Sequence, residues 1–193
     1  GRLVQARNVF DKMSQRNVVS WTAMLNGYII FGLFSDAARH FIEFAENGIP
    51  WNSKTFVCVL NLCCKRLDFE LGMQVHARML KGCFSGLILD SAVVYFYVQG
   101  GELENAFRVF NRMNKWDVVC WTTIITACSQ HGRGEEAFQM FSRMLADGFE
   151  PNEYTVCSVL DACGEEKGLK VGKQLQGAIG KRQYRMDIVV ETL

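Results

Sequence analysis

The sequence predicts an all-α fold, a right-handed superhelical solenoid of helix-turn-helix repeats, and three observations predict it. The chain repeats itself: "NVVSWTAMLNGY" from Asn17 returns as "DVVCWTTIITAC" from Asp117, at an offset of 100 positions that holds along the chain without insertion. Within each hundred, apolar residues recur at helical rather than strand spacing. Glycines interrupt these stripes at lengths suited to short helices, and with only two prolines and no serine-rich or charge-block segment there is no composition break to mark a linker.

The elements follow in order. Leu3, Ala6, Val9-Phe10 and Met13 are matched by Leu103, Ala106, Val109-Phe110 and Met113. Trp21, Met24, Leu25 and Tyr28 fall at i, i+3, i+4 and i+7, as do Trp121, Ile124, Ile125 and Cys128, so "VVSW" reads as a helix entrance and not as a strand. A second stripe begins after Gly132 with Ala137, Met140, Phe141 and Met144 and stops at Gly148; Phe41, Phe44 and Gly48 mirror it. Glu135 and Glu136 suit the positive end of that helix. Asn52-Ser53 then caps "KTFVCVLNLCCK", and Asp68 precedes "FELGMQVHARMLKG". "DSAVVYFYVQGG" and "ELENAFRVFNRM" complete three helical pairs per hundred, each about the size of a tetratricopeptide unit. The tryptophans open apolar stripes and are expected to point inward, and Phe41, Phe110 and Phe141 are expected in the core between helices.

Composition narrows the function. With 193 residues, 49% hydrophobic and 21% charged, the chain buries a sizeable core, while a net charge of +1 provides no global field for nucleic acid. Ser20, Thr22, Asn26 and Gly27 interrupt the longest apolar run, so no membrane span is expected. No signal peptide is visible, and a start at Gly1 and an end at Leu193 in mid-pattern read as a piece of a longer protein. Cys58, Cys63, Cys64, Cys83, Cys120, Cys128, Cys157 and Cys163 form no C-x-x-C pair and lie near no histidine at zinc spacing, so no metal or other cofactor is expected. Buried reduced thiols in an intracellular compartment are the expectation.

Catalysis finds little support. His40, His76 and His131 are scattered and read as helix-surface or partly buried structural residues. Glu165-Glu166 are adjacent, hence about 100° apart on a helix, and suit a solvated first turn. No phosphate-binding loop or dinucleotide fingerprint occurs. The basic pairs Lys65-Arg66 and Lys181-Arg182 are explained equally by exposed helix ends or by phosphate contact.

The segments "NVVSWTAMLNGY…G…DAARHF…NGIPWN" and "DVVCWTTIITACSQHGRGEEAFQMFSRMLADGFEPN" resemble P-type pentatricopeptide repeats. "TFVCVLNLCCK…LGMQVHARMLK" and "YTVCSVLDACG…VGKQLQG" resemble L-type units, and "SAVVYFYVQGGELENAFRVFNRM" an S-type unit. The order is that of the PLS subfamily of plant organellar RNA-binding and editing factors. It implies a partial S repeat at 1–17, then P at 18–52, L at 53–86, S at 87–117, P at 118–152, L at 153–186 and the start of an S repeat at 187–193.

The resemblance implies sequence-selective binding of single-stranded RNA, one base per repeat. Carried over residue by residue, the fifth and last positions of a repeat give base-reading pairs Thr22 with Asn52, Ser91 with Asp117, and Thr122 with Asn152. Val19, Ile88 and Val119 occupy the position that sandwiches bases, or else pack between repeats. A threonine there has a structural reading too, as a cap or a solvent-facing residue. The L units present Val57 with Gly86 and Cys157 with Met186, which lack the donors and acceptors for discrimination and read as spacers. Ile30, Gln99 and Gln130 stand where many P-class members carry a phosphate-binding lysine, which lowers the expected affinity. The H-x-E and C-x-x-C signature of the family's deaminase tail is absent. The chain is therefore expected to be no enzyme itself, to bind organellar RNA in a mitochondrion or chloroplast, and to serve C-to-U editing with a deaminase or other editing-complex protein as partner. The alternative is a protein-interaction scaffold of the tetratricopeptide kind.

Overall fold

The computed structural model describes residues 1–162. Nine named helices follow one another: α1 (Arg2–Lys12), α2 (Val18–Ile30), α3 (Phe34–Glu46), α4 (Ser53–Arg66), α5 (Phe69–Lys81), α6 (Leu87–Gln99), α7 (Leu103–Arg112), α8 (Val118–Gln130) and α9 (Gly134–Ala146). Residues 153–162 are helical as well, and no strand occurs among the described residues. The register of 100 is kept in the backbone: α8 and α9 have the bounds of α2 and α3 shifted by that offset. The chain divides into two compact units, residues 1–123 and 124–193.

Local chemistry explains the boundaries. Asn17 caps α2, its Oδ1 accepting from the amides of Val19 and Ser20 while Ser20 Oγ accepts from the Asn17 amide, so the β-branched "VV" forms a first helical turn. Gly32 (φ 72°) and Gly48 (φ 66°) end α2 and α3 in the left-handed region, as Gly132 and Gly148 do after α8 and α9. Asp68 caps α5 through the Leu71 amide. Glu135 and Glu136 fall in the first turn of α9, where the helix dipole favours them.

In the first unit the helices pair as α2 with α3, α4 with α5 and α6 with α7, and the leading helices also stack on one another, α2 on α4 and α4 on α6. One core cluster joins Phe10, Trp21, Met24 and Phe44, with Tyr28 and Trp51 packed against it. Trp21 and Phe44 stack at 5.5 Å with an interplanar angle of 6°. Gly72 is fixed by contact: a Cβ there would sit 2.1 Å from the Phe96 ring, so the Phe96 side chain can lie against α5 at this point because the residue is glycine.

The expectation for histidine needs one correction. His40 is fully buried, at 1% exposure, because the core offers it partners. Its Nε2–H donates to the Trp21 carbonyl at 3.1 Å, which leaves Nδ1 to accept from Arg7 Nη1 at 3.5 Å. Burial first, and Arg7 with it, push the His40 pKa below its ordinary value, opposed by the hydrogen bond to Trp21 and by Glu43 and Asp11. His76 is half-buried and bonded to the Tyr97 hydroxyl at 2.8 Å, while His131 is exposed.

In the second unit Ile124, Ile125, Cys128, Ala137, Met140, Phe141 and Met144 are buried. The Thr126 and Ser158 hydroxyls are hydrogen-bonded at 2.7 Å. Cys63, Cys64, Cys120 and Cys128 are buried, and burial pushes their thiols to about 12, 11, 12 and 11, far from thiolate chemistry at neutral pH. Among the described residues, no helix is long and apolar enough to cross a membrane, and no three metal-ligating side chains converge. Cys163, Glu165-Glu166, Lys181-Arg182, Met186 and the segment 187–193 lie outside the described residues.

Candidate nucleic-acid interface

A three-residue arrangement forms where α2 meets the entrance of α4. Asn52 caps α4, and its Oδ1 accepts from the Thr55 amide at 2.9 Å and the Thr55 hydroxyl at 3.0 Å. Only an oxygen can accept from an amide N–H, so the Asn52 side chain has one orientation, with Nδ2 turned away from the helix. Thr22 Oγ1 lies 2.8 Å from Thr55 Oγ1. Thr22 and Thr55 are buried and Asn52 is half-buried. Two of the expected base-reading residues are thus joined through a third, Thr55, which lies in the first turn of α4.

The same places are occupied by different chemistry at the entrance of α8. Asp117 Oδ1 accepts from the Cys120 amide at 2.8 Å, leaving its second carboxylate oxygen. Ser91 Oγ is buried without a well-formed hydrogen bond, and the polar group beside it is the Cys120 thiol. That thiol also points to Met113 Sδ at 3.6 Å.

Farther along, Thr122 donates its hydroxyl proton to the Val118 carbonyl at 2.7 Å. Asn152 Oδ1 accepts from the Thr155 amide and hydroxyl, both at 2.9 Å, reproducing the Asn52 geometry.

Val19, Ile88 and Val119 stand in the first turns of α2, α6 and α8 and are 65%, 76% and 67% exposed. Their side chains do not belong to the core, which rules out ordinary burial as the reason for an apolar residue there. Ile30 is exposed, as are Gln99 and Gln130. Trp21 and Trp121 are buried, as their stripes predict. Arg108 and Arg112 line a cavity of about 300 Å³ between α5, α6 and α7, together with His76, Asp90 and Tyr97.

The PPR repeat family model matches residues 16–65 and 117–165, and the PPR repeat model matches residues 91–118. The chain belongs to the pentatricopeptide repeat family. Over all 193 residues it is 48% identical to the Arabidopsis thaliana pentatricopeptide repeat-containing protein At4g18520, chloroplastic, of which it covers 31%. It is 41% identical over 174 residues to the Arabidopsis protein CRR2, chloroplastic, with 88% of this chain and 26% of that protein covered. This PPR chain therefore spans about a third or less of the curated relatives it matches.

Solved PPR structures share its fold. The maize protein PPR10, in complex with an 18-nt psaJ RNA element, superimposes with a TM-score of 0.69 at 16% identity over 95% of this chain and 32% of that one. The PPR domain of Arabidopsis thaliana protein-only RNase P 1, in complex with tRNA, gives 0.66 at 15% identity over 84% and 89%. The all-α solenoid of helix-turn-helix repeats predicted from the sequence is thus the fold of this chain.

Proposed function

We propose that this chain binds single-stranded RNA selectively, one base per helical pair, and serves RNA processing in a plant organelle, with recognition of C-to-U editing sites as the specific task. The observation that carries the reading is the recurrent N-cap: Asn52, Asp117 and Asn152 each spend one side-chain oxygen on the helix and keep a second polar atom for a ligand. That atom is a donor in Asn and an acceptor in Asp, which is the difference needed to tell adenine, with an acceptor at N1, from guanine, with a donor there. The exposed Val19, Ile88 and Val119 supply apolar faces between which bases fit.

In this reading the pairs are Thr22 with Asn52 for A, Ser91 with Asp117 for G and Thr122 with Asn152 for A, and the preferred RNA resembles 5′-A-N-G-A-N. The two unread positions fall on the L-type units, where Val57 and Cys157 carry no side chain suited to discrimination. The unit boundaries are those expected from the sequence, with P units at 18–52 and 118–152. PPR10 was solved with RNA and RNase P 1 with tRNA, and two relatives are chloroplastic proteins; these support an RNA ligand and an organellar site of action. The chain reads an address, and a deaminase or another editing-complex protein supplies chemistry.

Filter binding at low salt tests this. RNA containing A-N-G-A-N is expected to bind more tightly than the same bases permuted, with affinity falling as salt rises. No RNA binding, alongside capture of a defined peptide, would return the chain to the interaction-scaffold class. Conversion of cytidine to uridine by this chain alone would overturn the division of labour.

A further inference from the structure

We infer that Thr55 is a specificity-determining positioning residue: its hydroxyl sets the polarity of the Thr22 and Asn52 side chains, so that the pair presents an acceptor and a donor in fixed order. The inference rests on the RNA-reading function above and deepens it, because it concerns a residue that need not touch the base.

The argument is one of proton accounting. A hydroxyl has one proton. Thr55 Oγ1 lies 3.0 Å from Asn52 Oδ1, an atom that only accepts, so the Thr55 proton is committed to it. Thr22 Oγ1 and Thr55 Oγ1 are 2.8 Å apart, and with the Thr55 proton already placed, the donor of that bond is Thr22. The relay therefore runs from Thr22 to Thr55 to Asn52. Thr22 is left with lone pairs and Asn52 with its Nδ2 protons. An acceptor beside a donor complements the N6 amine and N1 acceptor of adenine, and opposes guanine, whose O6 accepts and whose N1 donates. Cytosine offers the same pattern as adenine on a smaller ring, so ring size must separate those two.

The neighbouring entrance supports the reading by contrast. At α8 the equivalent of Thr55 is Cys120, whose thiol is a weak donor, and the cap is Asp117, whose two oxygens need no orienting. Ser91 Oγ there is buried beside that thiol and has no hydroxyl partner, so no relay of the Thr22–Thr55 kind orders this entrance. At Asn152 the hydroxyl returns, with Thr155 bonded to Oδ1 at 2.9 Å. A threonine accompanies asparagine, which has two different ends, and cysteine accompanies aspartate, which has two equal ones.

The test uses the 193-residue chain and short RNAs varied at the single nucleotide facing Thr22 and Asn52, with Thr55→Val, Thr55→Ser and Asn52→Asp compared with the parent. Thr55→Val keeps the shape and removes the relay; it is expected to lower the A-to-G ratio at that nucleotide by about 2- to 10-fold, the worth of one hydrogen bond. Thr55→Ser should restore the ratio, and the ratio at the nucleotide facing Thr122 should not move. Circular dichroism reports whether each variant folds; if Thr55→Val does not, Thr55→Cys, which places the weak donor found at α8 in the relay, replaces it with the same expected fall in the ratio. An unchanged ratio in the folded valine variant, or an equal loss at every nucleotide, overturns the inference. Asn52→Asp separates the two levels: if it moves the preference toward G while Thr55→Val changes nothing, only the positioning role fails. If Asn52→Asp moves nothing either, the base-reading function fails with it.

Discussion

Two corners of the molecule, 100 residues apart, perform one task with different side chains. Before α2, Arg16 Nε donates to the Phe10 carbonyl at 3.1 Å and the guanidinium lies 4.8 Å from the Phe10 ring centroid. Before α8, Trp116 Nε1 donates to the Phe110 carbonyl at 3.1 Å and its ring lies 5.9 Å from that of Phe110. In both corners the phenylalanine meets the following tryptophan edge-on at 4.8 Å. The carbonyl lies in the last turn of its helix, where it also accepts from the amide of Met13 or Met113 at 3.2 Å and keeps a second lone pair for the side chain, and the aromatic beneath it needs a cover. What the fold requires is a planar side chain that carries an N–H, and arginine and tryptophan both qualify. The repeat thus conserves a chemical requirement at this position, while the residue filling it changes completely.

The comparison is broken most forcefully at the phenylalanines. Phe10→Ala and Phe110→Ala should each cost about 3 to 5 kcal/mol, read as a lower midpoint in thermal or urea unfolding. Costs that differ by more than about 1 kcal/mol, beyond the usual scatter of such substitutions, would mean that the corners are not equivalent.

The covering residues come next. Trp116→Ala should cost about 2 kcal/mol, because it loses apolar cover and a donor together, and Arg16→Ala about 1 kcal/mol, since its stem is exposed. Arg16→Trp should stay within about 0.5 kcal/mol of the parent, whereas Arg16→Lys, which lacks the planar fork, should behave like the alanine variant. Equal stability of the tryptophan and lysine variants in the same unfolding experiment would contradict the requirement for planarity.

A smaller effect separates the copies by pH. His40 stands where the second copy has Met140, and burial holds its pKa below the ordinary value of 6.5. The unfolded chain binds a proton below about 6.5 that the folded chain refuses, so stability is full above that pH and falls as the pH drops toward the folded value. His40→Met should flatten the acid side of a melting-temperature profile in part. His76, whose pKa burial also lowers, contributes in the same direction. An unchanged slope would mean that His40 is not held neutral.

Much of this was legible beforehand, and the residues say why. Trp21, Trp121 and the stripe from Ala137 to Met144 were readable because burial imposes a period of 3.6 that survives in sequence. Asn52 and Asp68 were readable as caps because their type and place before an apolar run are local signals. Thr55 was not, since its importance comes from Thr22, 33 residues away, and a hydroxyl in a first helical turn has many uses. The burial of His40 depends on the Trp21 carbonyl and Arg7, brought together only by packing. The equivalence of Arg16 and Trp116 is hidden from any search for identical residues.

The central claim is that the capping residue reads a base, and Asn152 tests it most directly. Asn152→Asp keeps a good helix cap, as Asp117 shows at α8, so folding should be unaffected. Binding should be measured to 5′-A-N-G-A-N and to the same RNA with G at the second A, for parent and variant at one salt concentration. Total affinity is expected to fall a little, because a negative charge is added beside the phosphates. The A-to-G ratio at that one nucleotide should shift toward G by about 1 to 3 kcal/mol. An equal loss for both bases would contradict the account, for Asn152 would then cap its helix and read nothing.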